Sequence, residues 1–187
     1  MRAILAESTE RMTIQVVPDV AAQDSQVVIK VAAAGVNRAD LLQAAGNYPP
    51  PPGASDVIGL EVSGTIAQVG NNVTEWAVGQ PVCALLAGGG YAEYVAVPAT
   101  QVMPVPDGVG LHEAAALPEV ACTVWSNLVD AGRLTAGIDL SVGYLLEKGS
   151  TPAAAATTRV RALRRRSARS IATTCARGQR RRIATDA

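Results

Sequence analysis

The side chains that most often carry enzyme chemistry are thinly spread in this 187-residue chain, which has one histidine, His112, and three cysteines, Cys83, Cys122 and Cys175. A catalytic zinc needs thiolate and imidazole ligands gathered at one point, and a four-thiolate structural zinc needs four clustered cysteines. Neither set can be assembled here, so no metal site is expected. The cysteines also form no Cys-x-x-Cys redox pair and no evident disulfide framework, which points to a reducing, cytoplasmic setting. Cys122 has apolar neighbours on a helical stretch and reads as a small buried hydrophobe, because no histidine is close enough in sequence to activate it. His112 has no second ligand nearby and reads as a surface residue at a helix start.

Dinucleotide binding would need a strand, then Gly-x-Gly-x-x-Gly opening a helix, so that backbone N–H groups meet the pyrophosphate. The nearest approach is Gly108-Val109-Gly110, with Glu113 where the third glycine belongs and Asp130 further on as an apparent ribose ligand. The preceding Val105-Pro106-Asp107 is turn sequence, however, and Asp130 ends a helical stretch where a second strand is required. This segment is therefore not expected to hold a nucleotide.

The elements around these residues read as β-rich first and helical later. Residues 2–6, 12–17, 26–34, 57–69, 82–86, 91–97 and 102–105 are short apolar or β-branched runs separated by turn residues, as strands are. Residues 38–45 read as a short helix closed by Gly46. The next loop contains Pro49 to Pro52, which forbid helix and ladder pairing. Residues 113–117 and 119–130 read as helical, interrupted at Pro118. With no Phe and 3% aromatics, the core must come from Val, Ala, Leu and Ile. Six or more short strands with little helix argue for a small barrel or sandwich.

Charge divides the chain. Residues 1–137 hold 5 basic and 13 acidic side chains, and residues 138–187 hold 11 and 3, so a net charge of zero hides −8 and +8. Residues 159–182 contain ten arginines and hardly a large apolar residue. Such a composition does not bury enough surface to offset chain entropy, so a disordered basic tail is expected. No apolar stretch approaches 18 residues, so neither a signal peptide nor a membrane span is expected.

Six stretches carry a family resemblance in order and spacing. They are Gly35-Val36-Asn37-Arg38-Ala39-Asp40, Gly46-Asn47-Tyr48 with the four prolines and Gly53, Gly59-Leu60-Glu61-Val62-Ser63-Gly64, Gly88-Gly89-Gly90-Tyr91-Ala92-Glu93-Tyr94, Gln101 to Gly108, and Glu113 to Glu119. Together they resemble the quinone oxidoreductase (zeta-crystallin-like, zinc-independent) branch of the medium-chain dehydrogenase/reductase superfamily, over residues 1 to about 137. Where zinc-dependent relatives carry Cys-His and Gly-His-Glu, this chain has Asn37-Arg38 and Gly59-Leu60-Glu61.

The resemblance implies a mainly β fold, a GroES-like partly open β-barrel with short helices, followed by the start of a truncated α/β (Rossmann) domain. The implied division is a substrate domain over 1–117, a helix entering the nucleotide-binding domain over 118–137, and a divergent tail over 138–187 with the nucleotide-binding domain missing. It implies metal-free hydride transfer from NADPH or NADH to a quinone or enone, with Asn37 and Tyr48 catalytic, and Asn37, Tyr48 and Thr123 contacting the cofactor. Family homodimers form through the missing domain, so that interface is expected to be absent.

Blander readings stand beside these. Asn37 is also a turn or cap residue, Tyr48 a loop aromatic packed on the prolines, and Glu61 and Asp40 are structural, Glu61 as an outward charge on an alternating strand. Trp76, Trp125, Tyr91 and Tyr94 read as packing residues. The glycine-rich turn expected shortly after Gly137 is replaced by Leu145-Leu146-Glu147-Lys148-Gly149-Ser150-Thr151-Pro152. A frameshifted or prematurely ended gene would give that change, and the chain alone is then not expected to hold the dinucleotide. The alternative is a non-enzymatic GroES-like binding module with a basic arm for an acidic partner. Nucleic acid is the weaker choice of partner, because no aromatics interleave with the arginines.

Overall fold

A computed structural model describes residues 1–8 and 11–133. The expected tail, 138–187, lies outside the described residues. Seven strands form, β1 (Arg2–Ser8), β2 (Arg11–Val16), β3 (Gln26–Ala34), β4 (Glu61–Val69), β5 (Pro81–Leu85), β6 (Tyr94–Pro98) and β7 (Val102–Pro104). Helix α1 (Arg38–Ala44) follows β3, and α2 (Leu111–Ala114) and α3 (Pro118–Trp125) follow β7. The molecule is mainly β, as expected.

Strands β1 and β2 pair as one antiparallel ribbon, and the other five form a sheet of order β6-β3-β4-β5-β7, antiparallel throughout. An isolated bridge from Ala3 to Ala92 joins the ribbon to the sheet. The order forces the sheet to curl. Strands β6 and β7 are four spacings apart, about 19 Å if the sheet were flat, yet Pro98 and Val102 are separated by only a 3-10 turn over Ala99–Gln101. Four residue steps reach at most about 14 Å. The two edge strands must therefore turn towards each other, as in a partly open barrel. Register shifts between Val28 and Ile29 and between Val31 and Ala33 bend β3 further.

Inside the curl lies an aliphatic core that includes Val27, Ile29, Val62, Ile66, Val82 and Val97, each 1% exposed or less. Trp76 packs on it and donates its Nε1–H to the Ala99 carbonyl at 3.1 Å. Gly64 is needed where β4 crosses closest to β3, because a Cβ there would lie 2.0 Å from the Lys30 carbonyl oxygen.

Several elements differ from the sequence reading: β6 begins at Tyr94, not at residue 91, and α2 covers Leu111–Ala114, not 113–117. Strand β4 begins at Glu61, not at residue 57, and Val57 to Leu60 are instead a buried loop that bonds the glycine turn: Gly89 N–H to Val57 O, Tyr91 N–H to Ile58 O and Gly90 N–H to Gly59 O. Pro118 does not merely interrupt helix. It stands at the first position of α3, where its missing N–H has no intrahelical role. After Trp125 the helix widens into a π-helical segment, Ser126–Ala131.

Candidate functional site

Strand β3 ends in Ala32-Ala33-Ala34-Gly35, and the chain turns into α1 at Asn37, whose extended backbone (φ −115°, ψ 156°) makes it the N-cap. Its side chain and that of Asp40 form a capping box, in which Asp40 Oδ2 accepts the Asn37 backbone N–H at 2.7 Å. The cap reading of Asn37 is thus what the structure shows directly. Its amide does more, because Nδ2 donates to Glu61 Oε1 at 2.9 Å.

Glu61 opens β4 beside this helix start. Contrary to the outward charge expected on an alternating strand, it is only 2% exposed. The alternation fails because residues 61–64 are all buried, one face by the barrel and the other by the helices. Room for the carboxylate comes from Gly35, where a Cβ would stand 2.2 Å from Glu61 Oε1. The second oxygen, Oε2, accepts the backbone N–H of Glu119 at 2.9 Å, in the first turn of α3. Burial raises the Glu61 pKa above its ordinary value, the bonds from Glu119 and Asn37 oppose that rise, and the charges of Glu119 and Asp40 add to it.

Asp40 is also interior, 1% exposed. Besides Asn37 it receives the Tyr91 hydroxyl at 3.0 Å on Oδ2, while its Oδ1 has no hydrogen-bond partner among the described residues. The Tyr91 hydroxyl also faces the Gly35 carbonyl at 3.3 Å, and burial followed by the Asp40 charge raises its pKa. Tyr91, expected only to pack, is therefore part of a polar network. Cys83, on the neighbouring β5, is buried and its thiol is pushed up to about 11, by burial first and the Glu61 charge second.

The three sequence-derived site residues are placed unequally. Thr123 is exposed on α3 and donates Oγ1–H to Glu119 Oε1 at 3.0 Å. Asn37 and the Glu119 backbone N–H therefore both donate to Glu61, and Thr123 donates to the Glu119 side chain. Tyr48 stands apart in the proline loop, 37% exposed, with no hydrogen bond from its hydroxyl among the described residues. Glu61, Asp40 and Tyr91 are the participants that sequence reasoning left as structural. The signal available for Asp40 was its spacing from Asn37, which is that of a capping box. Glu61 and Tyr91 carried no comparable mark.

Among the described residues, no group of three His, Cys, Asp or Glu side chains is arranged to hold a metal ion. Asn37 carries an amide, and Tyr48 and Thr123 carry hydroxyl groups. The Gly108–Gly110 segment leads into the four-residue α2, with Gly110 as its N-cap, and Val105 and Val109 pack on Cys83, Met103 and Ala114. No helix among the described residues is long and apolar enough to cross a membrane.

Residues 23–107 match the family of the alcohol dehydrogenase GroES-like domain. This N-terminal part of the chain belongs to that family and, through it, to the medium-chain dehydrogenase/reductase superfamily. Highly-reducing polyketide synthase 1 of Aureobasidium melanogenum is 39% identical over 114 residues, 61% of this chain and 5% of that protein. The CurK enoyl reductase superposes with a TM-score of 0.65 at 25% identity, over 73% of this chain and 44% of that one. The quinone oxidoreductase of Pseudomonas syringae pv. tomato does so at 0.62 and 26%, over 73% and 43%. The chain therefore spans a small fraction of the synthase and less than half the length of these solved structures. The fold is that of the oxidoreductases and enoyl reductases of the superfamily.

Proposed function

We propose that this chain carries the substrate-side half of a zinc-independent NAD(P)H-dependent reductase acting in the cytoplasm on a quinone, an enone or another activated alkene. The observation that carries the reading is the Asn37 amide, held at a helix N-cap by a buried carboxylate. An amide nitrogen has two N–H groups, and Glu61 takes one. Among the described residues the other has no partner, and it can meet an oxygen.

A conjugated acceptor that receives hydride at carbon develops negative charge on its oxygen, and a fixed donor lowers that barrier. In this reading Asn37 supplies one donor and the unpartnered Tyr48 hydroxyl a second, with Thr123 beside the carboxamide. NADPH or NADH supplies the hydride when bound. Asn37 and Leu60 stand where zinc-dependent relatives carry thiolate and imidazole, and an amide and an aliphatic side chain suit metal-free hydride transfer.

The proposed division is a substrate domain over 1–117, a helix leading towards a nucleotide-binding domain over 118–137, and a divergent segment over 138–187. The chain contains no Gly-x-Gly-x-x-Gly, so its residues meet only the nicotinamide end. Activity then requires a nucleotide-binding domain, the place through which a homodimer would also form. The reading is tested on the chain itself by adding millimolar reduced nicotinamide mononucleotide to 15N-labelled protein. Resonances of Asn37, Tyr48 and Thr123 should move while those of β2 stay. Unmoved site resonances, or equal shifts across the domain, would count against it.

A further inference from the structure

Among the described residues, Glu61 is an acid buried without a cation. The ionisable groups that face it among the described residues are Asp40 from α1, Glu119 from α3, Cys83 from β5 and Tyr91 from the glycine turn, and none of these is basic. Its charge is met by two donors, the Asn37 amide nitrogen and the Glu119 backbone N–H. The missing Cβ at Gly35 makes the space for it. A packing residue would not need a carboxylate in this place, since an apolar side chain of similar size would fill it without desolvating a charge.

We infer that Glu61 is a positioning residue which fixes the orientation of the Asn37 amide and ties it to α3, the helix bearing Thr123. An ionised carboxylate only accepts hydrogen bonds, so only the nitrogen end of an amide can face it. Asn37 is thereby held with Nδ2 towards Glu61 and one remaining N–H available as a donor. A protonated Glu61, or a glutamine there, has a donor of its own and tolerates the flipped amide. Through Oε2 the same group holds the first turn of α3, and Glu119 passes the tie on to Thr123. This inference rests on the proposed function, in which Asn37 and Thr123 meet the acceptor and the cofactor.

The test is an NMR pH titration of the full chain, 15N-labelled at Asn and Glu, with Asn37 assigned by its loss in Asn37→Ala. The Asn37 side-chain amide and the Glu119 backbone amide should titrate together, with one midpoint above that of the exposed carboxylates. In Glu61→Gln that common titration should vanish, and the Asn37 side-chain hydrogens should exchange about tenfold faster or more, as expected for loss of a charge-assisted bond. Separate midpoints, or unchanged Asn37 exchange in Glu61→Gln, would overturn the inference. Should Glu61→Gln not fold, the wild-type titration decides alone. The reductase reading fails separately: coupled titration with no response of Asn37 to reduced nicotinamide mononucleotide would leave Glu61 as an anchor of a different site.

Discussion

At the scale of residues, one carboxylate accounts for much of the local geometry and carries a cost. Burial raises the Glu61 pKa, so the folded state holds its proton more tightly than the unfolded chain does. Its stabilising contribution is then fully present below the unfolded carboxylate pKa and is lost as pH rises through the higher folded value. Wild type should therefore lose stability relative to Glu61→Gln on moving from about pH 4 to pH 8. Urea unfolding of both proteins at several pH values checks this, and parallel stability profiles would refute it. The lowered pKa of Glu93, bonded to Arg2 on the surface, acts in the opposite sense but is common to both proteins. Sequence alone showed that Glu61 follows Gly59-Leu60, but alternation placed it outward. What it could not show is that α2 and α3 pack on β4 at its start, which turns an alternating strand into one buried on both sides.

At the scale of elements, the sheet is held at its centre by the close pairing of β3 with β4. The Gly64 position has no room for a side chain, with the Lys30 carbonyl 2.0 Å from an added Cβ. The neighbour is backbone in a paired strand and has little freedom to yield. Gly64→Ala should therefore destabilise the domain by roughly 1–3 kcal/mol, as overpacking does, and lower the melting temperature by several degrees. A far-UV circular dichroism melt measures this, and an unchanged midpoint would show that β3 and β4 separate without cost. Most strands were legible, since 2–6, 12–17 and 26–34 are aliphatic runs bounded by turn residues, and each became a strand. Residues 57–60 were not, because a buried loop that spends its backbone bonds on a glycine turn has the same apolar composition as a strand. The start of α3 was misread for a related reason: Pro118 breaks a helix in its interior but begins one at its first position.

At the scale of the whole molecule, an acidic domain precedes a basic segment, and only the former carries the family's motifs. The GroES-like assignment was legible because six motifs stand in register from Gly35 to Glu119. The hydrogen-bonded path from Asn37 to Thr123 was not, because its two middle members, Glu61 and Glu119, are ordinary acids in sequence and meet only when α3 folds back on β4. The central claim is that this domain presents donors to an acceptor reduced by a nicotinamide cofactor. Its most direct test joins residues 1–137 to the nucleotide-binding half of the Pseudomonas syringae quinone oxidoreductase and measures NADPH-dependent reduction of 1,4-benzoquinone. The account predicts turnover that Asn37→Ala and Tyr48→Phe each lower by about tenfold to a thousandfold, the range for loss of a donor to developing charge, while the unjoined 187-residue chain shows none. A joined protein that folds and binds NADPH yet reduces no quinone, or one whose turnover is indifferent to both substitutions, would contradict it.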